Sequence, residues 1–127
     1  MIEELKKLVL NAYSPYYKFK VAAIVIMKDS SMFKGVNVEN ANGTSICAER
    51  NAISSAVAAG YKKGDFKEIY IYLENGEFTT PCFACRQVIL EFFSKDDKVI
   101  SVDKNGNYKE YTVDMLCPYP FDSEDLK

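Results

Sequence analysis

The sequence predicts an α/β fold, a mixed five-stranded sheet covered by helices. Two observations carry this. Apolar patterning runs in the order helix, two strands, helix, strand, helix, two strands. The last two runs flank Lys104-Asn105-Gly106-Asn107, and Asn-Gly between such runs signals a hairpin, which makes these strands antiparallel. At 127 residues, 48% of them hydrophobic, the chain suits one domain with a real core.

Each element has its own signal. Ile2, Leu5, Leu8, Val9 and Ala12 recur at helical spacing, so the first dozen residues read as an amphipathic helix ended by Ser14-Pro15. Val21 to Met27 is a short apolar run, a buried strand. After the turn Asp29-Ser30-Ser31 its antiparallel partner runs from Met32 to Glu39. Asn40 to Ser45 is polar and reads as a loop. A helix rich in Ala, Ile and Val spans Cys47 to Ala59, with Gly60 as its stop. Glu68 to Leu73 is a strand, and Cys82 to Phe93 a helix. Val99 to Val102 and Tyr108 to Val113 are the hairpin strands. Leu116 to Phe121 is too proline-rich for a regular element.

Composition excludes several functions. There is no histidine, which removes Ser-His-Asp and Cys-His catalysis and leaves cysteine, carboxylate or water as metal ligands. A net charge of −2 without a basic cluster argues against a nucleic-acid polymer as partner and favours a small neutral substrate. No stretch approaches the roughly 20 apolar residues of a membrane span. The N-terminal residues lack the order of a secretory signal. A cytoplasmic location is expected, where four cysteines stay reduced and clustered ones suggest metal or catalysis.

Pro81-Cys82-Phe83-Ala84-Cys85 opens one expected helix, with both sulfurs on one face of its first turn. Alone, this spacing also suits a redox pair or part of a structural zinc knuckle. Cys47-Ala48-Glu49 opens another helix and supplies a third thiolate. Catalytic zinc keeps three protein ligands and one open position, whereas a fourth ligand, for which Cys117 is the candidate, would close the site. Glu49 lies two residues past Cys47, near where metal-bound water would sit.

The combined motif resembles the zinc deaminases, whose signature pairs a ligand-x-Glu with Pro-Cys-x-x-Cys. Ser14-Pro15-Tyr16, Phe19-Lys20-Val21, Gly35 to Ala41, Ile46 to Ala52 and Cys85 to Ile89 are similar to the free-nucleoside cytidine deaminases, as is Leu116 to Phe121. The resemblance spans nearly the whole chain. It departs at Phe83 and Ala22, where the family usually has glycine. It departs also in the Asn40 to Cys47 loop, one residue shorter than usual and without the aromatic often found there.

The resemblance implies a cytidine deaminase-like three-layer α/β/α fold over residues 1–127, with helices on both sheet faces and an antiparallel C-terminal hairpin. It implies one Zn²⁺ per chain on Cys47, Cys82 and Cys85, with Glu49 moving protons and Arg50 hydrogen-bonding to ligand sulfurs. Substrate contacts are expected from Asn37 and Glu39 to ribose, from the Ala48 N–H and the Thr80 carbonyl to the base, and from the aromatic rings of Phe19 and Phe121. Phe121 is expected to come from a neighbouring chain of a homotetramer. Read without the resemblance, Asn37 and Glu39 are strand-end polar residues, Phe19 and Phe121 core, Glu49 a helix-start carboxylate, and Arg50 a surface ion-pair partner. A blasticidin-type deaminase shares the zinc motif but typically lacks a Glu-Asn-Ala run like Glu39 to Ala41 and an arginine at the position of Arg50.

Overall fold

The computed structural model describes residues 1–126. Its elements are α1 (Ile2–Val9), β1 (Val21–Met27), β2 (Met32–Val36), α2 (Ala48–Ala58), β3 (Phe66–Leu73), α3 (Phe83–Phe92), β4 (Lys98–Val102), β5 (Tyr108–Thr112) and α4 (Val113–Leu116), followed by a 3₁₀ turn at Ser123–Leu126. The strands form one sheet in the order β2-β1-β3-β4-β5. β1 is antiparallel to both neighbours, β3 and β4 are parallel, and β4 and β5 form the expected antiparallel hairpin. The parallel pair needs a crossover, which α3 supplies.

Alternation along β1 divides the core. Ala23, Val25 and Met27 pack with Ala52, Ile53 and Ile89 on the face covered by α2 and α3. Ala22 and Ile24 point the other way, to Leu5 and Val9 of α1. This is the period-2 consequence of a strand buried on both faces, and it makes the three layers. Ala22 is fully buried there, so its methyl group is accommodated. Each fully buried side chain such as Ile53 or Ile71 contributes about 1.5–3 kcal/mol.

Several boundaries differ from the sequence expectation; β3, for one, begins two residues early, at Phe66. α1 ends at Val9, because the Asn11 and Ala12 N–H groups bond three residues back, to Leu8 and Val9, and tighten the chain into turns. β2 ends at Val36, the last residue paired with β1. Beyond it the Val21 N–H goes to the Asn37 side chain, while Val38 bridges Ile46 instead. β5 ends at Thr112, whose hydroxyl accepts from the Met115 N–H and starts the unexpected α4.

Candidate active site

Two helix starts meet at the end of the sheet where β3 finishes and β1 begins. Cys47 is the N-cap residue of α2 and Cys82 that of α3, both with extended backbone and neither with its side chain capping its helix. The sulfurs face each other instead. Cys47 Sγ lies 3.7 Å from Cys82 Sγ, and Cys82 Sγ lies 3.5 Å from Cys85 Sγ. All three fall within 4.8 Å of one another.

The surrounding bonds hold this arrangement. The Val38–Ile46 bridge fixes the approach to Cys47. Ser101 of β4, itself buried, accepts from the Thr79 N–H at 2.9 Å. Arg86 donates to the Pro81 carbonyl at 2.7 Å, to the Thr80 hydroxyl at 3.0 Å and to the Leu116 carbonyl at 3.0 Å. Its guanidinium also lies 4.5 Å from the centre of the Phe83 ring. The segment leading into Cys82 is therefore tied to both the sheet and the tail.

The donor set fits zinc. Sulfurs at about 2.3 Å from a tetrahedral zinc lie about 3.8 Å apart, close to the spacing seen here. Arg50 Nη2 is 3.6 Å from Cys47 Sγ and also donates to the Ser45 carbonyl. Arg50 Nε is buried without a partner among the described residues. A cation of this kind offsets some of the negative charge of three thiolates. Cys117 stands outside the cluster, its thiol directed to the Arg86 carbonyl at 3.7 Å. Three sulfur donors would leave a zinc ion its fourth position for water, unlike a closed structural site, and the inclusion of Cys47 goes beyond a two-cysteine redox pair.

Electrostatics sharpen the chemistry. The Cys47 thiol falls to about 5, chiefly through hydrogen bonding with Cys85; burial opposes this, while Arg50 and Cys82 add to it. The partner Cys85 thiol is pushed up by the same contact and by burial. Glu49 is only 5% exposed, and burial raises its carboxyl to about 7. A carboxylate poised near neutrality can both accept and release a proton.

One cavity of about 610 Å³ gathers Phe19, Asn37, Glu39, Cys47, Ala48 and Glu49, with Thr80 and Cys82 on its wall. Cys85 closes the sulfur cluster from a fully buried position. Ala48 occupies the first turn of α2, where backbone N–H groups have no partner within the helix. Phe121 is elsewhere in this chain, in a groove with Phe83 and Arg86, and the Gln87 side chain donates to its carbonyl at 2.7 Å. Asn37 and Glu39 are buried and hydrogen-bonded to the segment from Ser14 to Val21. The sequence assigned no role to Tyr17 or Ile46, which also line the cavity; both are exposed apolar side chains in loops, without a periodic signal.

Residues 1–102 match the family described as "Cytidine and deoxycytidylate deaminase zinc-binding region". The cytidine deaminase of Mycoplasma genitalium is 38% identical over 117 residues, covering 91% of this chain and 88% of that protein. The chain belongs to the cytidine deaminase family. The crystal structure of the cytidine deaminase from Burkholderia pseudomallei agrees, with a TM-score of 0.88 at 39% identity, covering 94% of this chain and 95% of that one. The blasticidin-S deaminase of Bacillus cereus is more distant from this cytidine deaminase-family chain, at 28% identity over 82% of it.

Proposed function

We propose that this chain is a zinc-dependent cytidine deaminase that converts cytidine and deoxycytidine, with water, to uridine or deoxyuridine and ammonia. The observation that carries the proposal is the buried Glu49 carboxylate beside a three-sulfur cluster, at the wall of a cavity of about 610 Å³. Cys47, Cys82 and Cys85 would hold one zinc ion, which supplies a Lewis acid that makes water a nucleophile near neutral pH. Glu49 accepts a proton from the water and passes it to N3 of the base as oxygen adds at C4; it then takes the proton of the new C4 hydroxyl and delivers it to the amino group, which leaves as ammonia as the C4 carbonyl forms. The Ala48 N–H binds the base carbonyl and the Thr80 carbonyl accepts from the amino group. Arg50 tempers the charge on the sulfurs.

The hydrogen-bond inventory supports a sugar role for Asn37 and Glu39. The Asn37 amide donates to the Phe19 carbonyl at 2.6 Å and accepts from the Val21 N–H at 2.8 Å. That leaves one N–H and one acceptor position. Glu39 Oε1 accepts from the Tyr16 and Tyr17 N–H groups at 2.9 and 3.1 Å, and Oε2 from the Ser14 hydroxyl. One of about four acceptor positions on the carboxylate remains. A spare donor and a spare acceptor on the same cavity wall suit one ribose hydroxyl.

The finer assignments follow from the same reading. Phe19 lies against the base, and Phe121 reaches the site of a neighbouring subunit in a homotetramer. The single catalytic domain works in the cytoplasm, in pyrimidine salvage. No helix among the described residues is long and apolar enough to cross a membrane. The deciding experiment follows the absorbance change as purified protein converts cytidine to uridine. Turnover of cytidine with little turnover of free cytosine is the expected result. A zinc-loaded, folded protein inactive on both cytidine and deoxycytidine would refute the proposal.

A further inference from the structure

Ser14 is a buried polar residue that the chemistry above does not use. It precedes Pro15 and lies outside the cavity wall, yet its hydroxyl meets two groups that the proposed reaction needs. It donates to Glu39 Oε2 and accepts from the Phe19 N–H at 2.9 Å. Its own carbonyl accepts from the Lys18 N–H at 3.0 Å. This closes a turn in which Lys18 takes a left-handed φ of 53°.

A serine hydroxyl has one proton and two acceptor positions. The Phe19 N–H can only donate, so it uses an acceptor position and leaves the proton for Glu39. The carboxylate is thus gripped from both sides: Oε1 by two backbone N–H groups and Oε2 by Ser14. The one acceptor position left on Oε2 has its direction set by the Ser14 bond. The same oxygen atom of Ser14 fixes the backbone of Phe19, which in turn receives the Asn37 amide. Glu39, Phe19 and Asn37 all line the cavity, and all three are joined through this network.

We propose that Ser14 is a positioning residue for sugar recognition, holding Glu39 so that its remaining acceptor position meets a ribose hydroxyl. This rests on the assignment of Glu39 to the sugar. Without the hydroxyl, the carboxylate keeps its two backbone bonds but can rotate Oε2 away. Phe19 loses the acceptor of its N–H but is still held by the Asn37 amide on its carbonyl, so the loss falls mainly on substrates that offer a ring hydroxyl.

The test compares cytidine with 2′,3′-dideoxycytidine, which lacks both ring hydroxyls, using zinc-loaded enzyme. Zinc content and thermal unfolding are recorded for every variant. Ser14→Ala is expected to raise KM for cytidine about tenfold and to change kcat by less than about threefold, since the lost bond is to a charged group that binds the sugar and not the reacting atoms. Turnover of the dideoxynucleoside should stay within about threefold of the parent, so the preference for cytidine shrinks about tenfold. Ser14→Thr, which keeps the hydroxyl, should restore the preference. Ser14→Cys, with a weaker donor of similar shape, should fall between, and it carries the test by the same criterion if the alanine variant does not fold.

A Ser14→Ala enzyme with the parent's preference overturns the proposal. So does one in which both substrates lose equally, because that is what a merely structural turn residue would give. Glu39→Ala separates this from the underlying assignment. If Glu39→Ala abolishes the preference and Ser14→Ala does not, only the role of Ser14 falls. If Glu39→Ala leaves the preference intact, the sugar assignment fails and takes the Ser14 proposal with it.

Discussion

Gly35 of β2 lies so close to Ala52 of α2 that a Cβ on the glycine would stand 3.0 Å from the Ala52 Cα, with the Ala48 carbonyl and the Ala52 nitrogen closer still. These are backbone atoms, so the clash cannot be relieved by turning a side chain. α2 carries Cys47 at its start and Glu49 in its first turn. The glycine thereby sets how near the helix that carries Glu49 sits to the sheet. The bond from the Asn51 side chain to the Val36 carbonyl, 2.7 Å long, depends on the same approach.

Gly35→Ala should therefore push α2 outward. The expected cost is that of overpacking, about 1–3 kcal/mol, with a melting temperature lower by about 5–15 °C. Zinc should also bind more weakly, because Cys47 moves relative to Cys82. Thermal unfolding and competition with a chelator measure the two effects. An unchanged melting temperature would show that the helix can shift without cost.

The cysteines should separate into two groups. Cys85→Ser removes a buried member of the three-sulfur cluster and should abolish stoichiometric zinc. Cys117→Ser replaces a thiol whose polar contact to the Arg86 carbonyl, at 3.7 Å, a hydroxyl can also make. It should keep about one zinc per chain and most activity. Elemental analysis of both variants decides this. Loss of zinc from a folded Cys117→Ser protein would bring back the four-ligand structural site.

Glu39 ties acid stability to the sugar wall. Burial would raise its carboxyl, but hydrogen bonds from Ser14 and from the Tyr17 and Tyr16 N–H groups outweigh it and leave the group below the ordinary glutamate value. A depressed folded-state pKa stabilises the fold above the unfolded value, about 4.3, and the contribution is lost as pH falls through the lower folded value. Thermal unfolding should therefore decline on acidification below about pH 4.3, and Glu39→Gln should remove part of that decline. Equal pH dependence in parent and variant would contradict the assignment.

Much of this site is legible in the sequence because the chemistry is local. Cys47 with Glu49, and Cys82 with Cys85, sit at two helix starts, and spacing places the members of each pair near one another; that the two pairs meet, across thirty-five residues, is what the resemblance to the zinc deaminases implies. The order of elements along the chain and the antiparallel pairing of the last two strands follow from the apolar runs and the Asn-Gly hairpin. What the sequence does not reveal is long-range hydrogen bonding. The ending of β2 at Val36 depends on the Asn37 side chain capturing the Val21 N–H, sixteen residues away. Ser14 meets Glu39 across twenty-five residues, and no periodicity encodes such a pairing. α4 is a single turn started by Thr112, too short for a hydrophobic period to show. The place of Phe121 in this chain, beside Phe83 and Arg86, was likewise outside the reach of pattern and spacing.

Glu49 gives the most direct test of the mechanism. It is buried, its carboxyl is raised to about 7 chiefly by that burial, and it is not among the three sulfur donors. Glu49→Gln keeps the size of the side chain and much of its hydrogen bonding, but the amide cannot accept a proton and release it again. Zinc should remain bound, the melting temperature should hold, and nucleoside should still bind in equilibrium measurements. Turnover of cytidine should fall by at least the roughly 10²–10⁴-fold typical of a lost general acid–base group. A larger fall is consistent with one group serving successive proton transfers, since such effects do not add independently. A zinc-loaded Glu49→Gln enzyme with near-parent turnover would remove Glu49 from the mechanism. Loss of zinc together with activity would instead assign the carboxylate to support of the metal site.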